Sequence, residues 1–127
     1  EQAIADVTAY IEKLLMNPDN GKGPATADLA KGKELYKVNC VKCHGENGEG
    51  DAEKYYPKIQ GQHYNYMIRQ FEWIRDGKRR NANPDMVEQI KNFTDKDMKM
   101  VINYVSRIPV DPKDLAPSKN WKNPDFD

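Results

Sequence analysis

Apolar residues recur at steps of three and four along four stretches of the chain, the spacing that places them on one face of an α-helix. The four stretches are 3–14, 27–40, 62–76 and 94–108. The last is the most regular, and its apolar side consists of Met98, Val101, Tyr104, Val105 and Ile108. This pattern predicts an all-α fold.

Residues at the ends of these stretches support the assignment. Thr26 or Asp28 is placed to cap the second helix, and Thr94–Asp97 has the shape of a capping box for the fourth. Gly77 stands where the third helix should stop. Gly32 lies in the middle of the second helix, which predicts close approach of another backbone or an aromatic ring at that point.

Three segments lack the helical periodicity and are predicted to be irregular. The first, 45–61, opens with a glycine-rich run that is too polar for a buried strand. The second, 81–93, carries asparagine and proline around Met86. The third is the proline-containing tail 111–127, with Phe126 as a large anchor near its end. We expect this tail to be an extended strap or a partly mobile end.

The segment Cys40-Val41-Lys42-Cys43-His44 carries the clearest chemistry and contains the only two cysteines of the sequence. C-x-x-C-H is the pattern of a c-type haem attachment site, in which each thiol adds to a haem vinyl group and the adjacent histidine binds iron from one face. The pattern therefore predicts one haem c, bound covalently through Cys40 and Cys43 and ligated by His44.

Three other uses of these cysteines were weighed against haem attachment. A structural zinc site with two cysteines and two histidines has its histidines about three to five residues apart, whereas the histidines here are His44 and His63. A thioredoxin-like redox pair has a βαβ context, which this sequence lacks. A plain disulfide between Cys40 and Cys43 is the third alternative.

Composition changes the picture in one respect. Only 38% of the 127 residues are hydrophobic, 31% are charged and the mean hydropathy is −0.95, which would make a thin core for a globular domain. A buried porphyrin would supply the missing apolar mass. Twenty basic residues balance twenty acidic ones, so the total charge favours neither nucleic acid nor a membrane surface as a partner. No run approaches the roughly 18 apolar residues of an integral membrane segment.

The second iron ligand must come from His63 or from one of five methionines. Four of these methionines lie on or beside predicted helices, where methionine is usually core filler: Met16, Met67, Met98 and Met100. Met86 lies instead in a predicted irregular segment that could bring its thioether to the opposite haem face. Such a ligand is soft and raises the reduction potential. Met86 is therefore the favoured ligand, with His63 as the alternative.

Taken together, residues 30–108 resemble the class I c-type cytochromes, and among them the small bacterial types called c-four and c-five. Three segments are similar to family segments: Ala30-Lys31-Gly32-Lys33-Glu34-Leu35-Tyr36, Tyr56-Pro57-Lys58-Ile59-Gln60-Gly61-Gln62 and Arg75-Asp76-Gly77-Lys78-Arg79. Met86 stands eight residues before the Thr94 helix start, as the family's ligand does. One departure is Glu88, because family members often have proline two residues after the ligand methionine.

This resemblance implies the class I cytochrome c fold, with helices packed around one haem. It implies that Gly32 packs on an aromatic residue of the last helix, for which Tyr104 is the match. It also implies that the carbonyl of Pro57 accepts the imidazole N–H of His44. A cytochrome of this kind is a periplasmic electron carrier, exported by a signal peptide that is absent from this chain, and it works with redox protein partners.

On this interpretation the chain is not an enzyme, because two axial ligands leave the iron no position for a substrate. Two other functions stay open at this point. In one, the protein is an enzyme or gas sensor in which Met86 does not bind and the distal position is open. In the other, it is the haem subunit of a larger redox enzyme.

A repeat links the two ends of the chain. Residue n matches residue n + 94 at Ile4 and Met98, Val7 and Val101, Tyr10 and Tyr104, Ile11 and Val105, Leu14 and Ile108, and Pro18 and Pro112. We therefore divide the chain into an N-terminal helix and linker (1–25), a cytochrome haem domain (26–110) and the tail (111–127). The repeat suggests that residues 1–16 descend from the closing helix of a preceding cytochrome domain. Their apolar face should then pack on the haem domain, on a second copy in a homodimer, or within a two-haem parent chain.

Overall fold

The computed structural model describes residues 1–17, 21–25 and 28–124. Within these ranges it has six α-helices, one turn of 3₁₀ helix and two isolated β-bridges, but no β-strand. The α-helices are α1 (Gln2–Glu12), α2 (Leu29–Asn39), α3 (Val41–His44), α4 (Tyr64–Arg75), α5 (Pro84–Ile90) and α6 (Asp95–Ser106). None of the described helices is both long enough and apolar enough to cross a membrane. The all-α prediction is confirmed.

The chain divides into two units. The larger comprises residues 21–109 and holds α2 to α6, and the smaller combines residues 1–20 with 110–127. The first boundary thus lies at residue 21, whereas the sequence placed it after residue 25. Thr26, one of the two candidate caps of α2, and Phe126, the expected anchor of the tail, lie outside the described residues.

In the larger unit, α2 and α6 cross in close contact at Gly32. A Cβ atom at this position would run into the backbone carbonyl oxygen of Met100 and would lie 3.0 Å from Cβ of Tyr104. One turn further along α2, the rings of Tyr36 and Tyr104 pack with their centroids 5.5 Å apart. The sequence predicted the close approach at Gly32 from the mid-helix glycine, whereas the contact of Tyr36 with Tyr104 was not predicted. Asp28 caps α2 by accepting the N–H of Lys31 at 2.9 Å.

The core of this unit is formed by the apolar faces of α4 and α6. The predicted capping box of α6 is present, since Thr94 Oγ1 accepts the N–H of Asp97 and the Asp97 carboxylate accepts the N–H of Thr94. The core residues on these two helices are Met67, Phe71, Ile74, Met98, Val101, Ile102 and Val105. Gly77 adopts φ +77° just after α4 and ends that helix, as predicted.

The segment around Met86 differs from its prediction, because residues Pro84–Ile90 form α5 instead of an irregular loop. The Asn83 side chain accepts the N–H of Asp85 at 2.9 Å and so caps the helix. Pro84 occupies the first turn, where its fixed φ suits a helix and its missing N–H leaves no hydrogen bond unmade. Asparagine and proline are therefore helix-starting residues here, and the prediction had treated them as breakers of regular structure.

The segment before α2 lies against α6 through a polar network, although the sequence predicted a linker there. The Gly23 N–H donates to Ser106 Oγ at 2.9 Å, and the Gly23 carbonyl accepts from Arg107 at 2.7 Å. The Asn103 amide donates to the Pro24 carbonyl at 2.6 Å and accepts from Arg107 at 3.0 Å. Because Asn103 is completely buried, these hydrogen bonds replace those that water would otherwise supply.

In the smaller unit, the chain after α1 runs beside the tail. Met16 and Leu115 form a parallel β-bridge, with the Met16 N–H donating to the Asp114 carbonyl at 2.7 Å and the Ala116 N–H donating to the Met16 carbonyl at 2.8 Å. No residue of α1 is buried, and Ile4 remains 72% exposed. Three apolar side chains of α1, those of Ile4, Val7 and Ile11, are therefore more than half exposed.

We expect Gly32→Val to lower the free energy of unfolding by about 1–3 kcal/mol, the usual cost of overpacking. The added side chain would meet a backbone carbonyl, which cannot turn away as a side chain can. The measurement is urea unfolding of the holoprotein. Lys33→Val is the control, because it adds a β-branched residue to the same helix at an exposed position. Equal losses in the two variants would contradict the contact at Gly32.

Two truncated chains should distinguish the contribution of residues 1–20 to stability from that of the polar network on α6. A chain that starts at Gly21 keeps the carbonyls of Gly23 and Pro24, and we expect its larger unit to unfold at the denaturant concentration of the full chain. A chain that starts at Ala25 leaves Asn103 without its carbonyl partner and should lose about 1–3 kcal/mol. The haem spectrum should be nearly unchanged in both. Equal stability of the two truncated chains would mean that the network contributes nothing.

Candidate haem-binding site

The two cysteines and the adjacent histidine lie on one side of a single helical turn. Cys40 ends α2 and begins α3, and its carbonyl accepts the N–H groups of Cys43 at 3.2 Å and His44 at 2.9 Å. Residues three and four apart on a helix are neighbours, so both thiols and the imidazole point to the same region. Cys40 and Cys43 are half-buried free thiols, and His44 is 8% exposed.

His44 is oriented by a hydrogen bond to the backbone of the following loop. Its Nδ1 lies 2.9 Å from the carbonyl oxygen of Pro57, the contact that the family resemblance implies. A carbonyl only accepts, so the proton is assigned to Nδ1 and the lone pair to Nε2. This tautomer is the one that a metal ligand bound through Nε2 requires, and the carbonyl fixes the plane of its ring.

The loop after α3 is folded tightly enough to bring Pro57 back to His44. The Gly50 N–H donates to the His44 carbonyl at 2.8 Å, and Asp51 and Tyr56 form an antiparallel bridge that turns the chain. A Cβ atom at Gly50 would lie 2.6 Å from the Tyr56 carbonyl oxygen, and the residue has φ +70°. Only glycine combines this conformation with so close an approach. The glycine-rich composition of the loop indicated a turn but not which residue it would bring back.

Tyr36 links α2 to the same loop. Its hydroxyl donates to the carbonyl of Gly45 at 2.5 Å, and burial raises the pKa of this phenol. Gly45 directly follows His44 and adopts φ +84°. Tyr36 thus holds the chain at the end of α3 from the side of α2. Nothing in the sequence pattern indicated that the Tyr36 hydroxyl would reach residue 45.

Met86 lies on α5, half-buried, among the side chains that pack on the core of the larger unit. Cys40 borders the same core. The orientation of α5 depends partly on Gln89, whose side-chain amide donates to Asn39 Oδ1 at 2.9 Å. Asn39 is the last residue of α2, next to Cys40, so this hydrogen bond joins the helix of the methionine to the end of the helix before the cysteines. Sequence reasoning missed this pair because the two residues are 50 positions apart.

The other candidate ligands are distributed differently. His63 is exposed at the start of α4. Met67 and Met98 are core residues with 6% and 0% exposure, as the sequence predicted from their place on helical stripes. Met16 belongs to the smaller unit. In the larger unit, Met86 and Met100 are the two half-buried methionines, and Met100 lies on α6.

The competing uses of the cysteines find no support in the described residues. Burial raises the pKa of the Cys40 thiol to about 12, with the neighbouring Cys43 adding to the shift. The thiol is therefore neutral near pH 7, whereas redox and nucleophilic cysteines act as thiolates. Within the described ranges, no group of three His, Cys, Asp or Glu side chains is placed to hold a metal, so His63 does not complete a zinc site.

The residues present fit a c-type haem. Cys40 and Cys43 supply two free thiols one helical turn apart, and His44 supplies an imidazole whose Nε2 lone pair is available. The core beside Cys40 is apolar, and its members include Tyr36, Met67, Phe71 and Ile90. This combination of two thiols, one oriented imidazole and an apolar wall is what covalent attachment and single-sided iron ligation need.

Comparison with known proteins supports the same conclusion. A family model described as Cytochrome c matches residues 29–109. Cytochrome c4 of Azotobacter vinelandii is 29% identical over 116 residues, which is 83% of this chain and 53% of that protein. Cytochrome c-552 of Acidithiobacillus ferridurans is 37% identical over 100 residues, which is 72% of this chain and 41% of that protein. The chain thus spans about half the length of these relatives.

A solved structure shares the fold. The reduced recombinant cytochrome c4 from Pseudomonas stutzeri superposes with a TM-score of 0.59 at 26% identity, covering 65% of this chain and 50% of that chain. The match extends the similarity from the sequence to the fold.

Tyr36→Phe tests the hydrogen bond that holds Gly45. At neutral pH we expect it to lower the free energy of unfolding by about 0.5–1.5 kcal/mol, because the buried carbonyl loses its donor. In the wild type the folded-state pKa of Tyr36 is raised above the unfolded value of 10.0. The unfolded chain therefore releases this proton first, and the stability that it provides is present below pH 10 and declines as the pH rises above it.

The readout is the difference in stability between the wild type and Tyr36→Phe from pH 8 to about 11. Other tyrosines and lysines titrate in both proteins and cancel. The difference should shrink as the pH rises above about 10. A difference that stays constant across this range would contradict the assignment of the hydrogen bond to a protonated, buried Tyr36.

Proposed function

Because the chain belongs to the cytochrome c family, we propose that it is a one-electron carrier of the periplasm whose haem iron is held between His44 and Met86. As a member of that family it carries a covalently attached haem c and transfers electrons. The observation that best supports the proposal is the His44 Nδ1 to Pro57 carbonyl contact of 2.9 Å beside the two thiols. It gives the imidazole the tautomer of an axial ligand before any metal is considered.

Each residue has a separate task in this proposal. Cys40 and Cys43 anchor the macrocycle through two thioether bonds, and the haem supplies one-electron chemistry at its iron when bound. Pro57 holds the His44 ring and increases its basicity as a ligand through the hydrogen bond. Met86 would supply the second protein ligand to the iron, and a thioether ligand would favour the reduced state and raise the potential.

Localisation follows from the attachment chemistry. In bacteria, haem is attached to C-x-x-C-H after export, so we place the protein in the periplasm. Its partners would be redox proteins that give and take one electron. With both axial positions filled by the chain itself, the iron would have no open site for a substrate, and the protein would be a carrier and not an enzyme.

We also propose that residues 1–16 correspond to the closing helix of a preceding cytochrome domain. Support comes from the match of α1 to α6 at a spacing of 94 residues and from the exposed stripe of α1, in which Val7 is 58% and Ile11 60% exposed. In α6 the equivalent positions, Val101 and Val105, are buried against the rest of their unit. The apolar face of α1 is therefore suited to pack in a preceding cytochrome domain as α6 packs in the larger unit.

Met86→Ala is the decisive variant for the proposed ligation. The haem should stay attached, because Cys40, Cys43 and His44 do not depend on α5, but the sixth coordination position should open and the potential should fall. The far-red ferric band of a methionine sulfur ligand and the reduction potential are the measurements. Met100→Ala is the matched control, since it removes another half-buried methionine from the same unit.

Other results would point to the other functions. A methionine-sulfur band that survives Met86→Ala would exclude Met86, and His63→Ala would then be examined. Rapid binding of carbon monoxide by the wild type would favour a sensor or enzyme with an open distal position. Stable co-purification with a second chain would favour a subunit of a larger redox enzyme.

A further inference from the structure

Helix α4 has two faces of different character. Its inner face places Met67, Phe71 and Ile74 in the core. Its outer face carries Tyr66 and Trp73, which are 44% and 40% exposed although both are large and apolar. Since α4 has a core-facing side of its own, the two outer aromatic residues are not needed to hold the helix in place.

An arginine connects these two rings. Arg69 is exposed between them, and its guanidinium carbon lies 5.5 Å from the centre of the Tyr66 ring and 5.4 Å from that of Trp73. Both distances are in the range of cation–π contacts. The planar cation is therefore held over two rings at spacings of three and four residues on one helix. A side chain held in this way loses little freedom when a partner binds it.

A basic turn follows the end of α4 and is attached to it at Trp73. The N–H groups of Lys78 and Arg79 both donate to the carbonyl of Trp73, at 2.9 and 3.0 Å, which fixes the turn against the helix. The side chains of Lys78, Arg79 and Arg80 are exposed. In the described part of the chain, neither these three cations nor Arg69 forms an ion pair within 4 Å, whereas Arg75 is paired with Asp76 and Asp95. After Arg75, Lys78 also helps to lower the pKa of Asp76, and Arg79 Nε donates to Asn81 Oδ1 at 3.1 Å.

We propose that this surface, the α4 outer face of Tyr66, Arg69, Trp73, Lys78, Arg79 and Arg80, docks the acidic surface of a protein partner. Tyrosine, tryptophan and arginine are the residue types that dominate binding energy at protein interfaces. Unpaired cations beside them steer an acidic partner and select its orientation. That the partner is the electron donor or acceptor rests on the proposed function, while the docking surface itself does not.

Two other occupants fit the surface less well. A membrane-surface helix turns a broad apolar face to the lipid, but the apolar face of α4 is inside the core and its outer rings are more than half buried. A second copy would have to offer an acidic surface, and the most acidic stretch of the chain is 46–53. There the carboxylates of Glu49 and Asp51 already accept backbone N–H groups of their own loop.

The test measures binding of the holoprotein to poly-L-glutamate, a defined acidic polymer, by calorimetry at low ionic strength. We expect Arg79→Gln with Arg80→Gln to weaken binding about tenfold, and Trp73→Leu, which removes no charge but releases Arg69, to weaken it about threefold. Lys96→Gln with Lys99→Gln is the matched control, because it removes two exposed charges from α6 and should change binding less than twofold. Melting temperature and haem spectrum of each variant check that the fold is intact.

Each alternative predicts a different result. Equal weakening by the α4 pair and the α6 pair would overturn the proposal, because it would mean that overall charge alone governs binding. An unchanged affinity in Trp73→Leu would show that the aromatic residues do not contribute to binding, and it would also overturn the proposal. Binding to phosphatidylglycerol vesicles without binding to poly-L-glutamate would assign the surface to a membrane. Self-association that Arg79→Gln with Arg80→Gln abolishes would assign it to a second copy.

Failure of docking and failure of the proposed function remain distinguishable. If the wild type lacks the methionine-sulfur band but the α4 variants weaken binding as expected, the ligation proposal fails and the docking surface stands. If the spectrum and the potential behave as proposed while the α4 variants bind like the wild type, the docking surface fails and the carrier stands.

Discussion

The contact between α2 and α6 at Gly32 is the constraint on which the site depends. Eight residues separate Gly32 from Cys40, which is about 12 Å along a helix. The crossing point at one end of α2 therefore determines where the cysteines lie at the other end. Tyr36 lies midway and contacts both α6, through Tyr104, and the chain after His44, through the Gly45 carbonyl. A change at the crossing would move the thiols and the imidazole together.

The loop after α3 completes the site by backbone contacts alone. Pro57 orients His44 through its carbonyl, and Gly50 lets the segment that bears Pro57 approach the end of α3. Because the orienting group is a carbonyl, no substitution at position 57 removes it directly. The vulnerable positions are those that shape the turn, and among them Gly50 tolerates a side chain least. This explains how a polar, glycine-rich loop can position a metal ligand without contributing a side chain of its own.

Local patterns in the sequence were sufficient for the helices and the cysteine motif. The ends of α2, α4 and α6 lie within two residues of their predictions, because caps and apolar stripes are local features. The sequence was insufficient where a feature depends on distant residues or on competing local signals. The pairing of Asn39 with Gln89 and the network of Asn103 with Pro24 join residues 50 and 79 positions apart. At Asn83-Pro84 the same two residues suit a loop or a helix start, and only the packing of Ile90 against the core decides between them.

The distribution of charge on the surface could not be predicted from the sequence either. The sequence has no net charge, which gave no argument for the kind of partner. At an ionic strength of about 0.1 M, however, charges act over only about 10 Å, so a partner senses the local surface and not the total. Folding brings Arg69 and the Lys78–Arg80 turn to one face of α4, while it pairs Arg75 with Asp76 and Asp95. Within the described residues, Arg69, Lys78, Arg79 and Arg80 form no ion pair within 4 Å, although the protein has no net charge. This distribution of charge on the surface is a property of the fold. Arg75 on α4 pairs with Asp95 on α6 only because folding brings these two helices together, although α5 separates them in the chain.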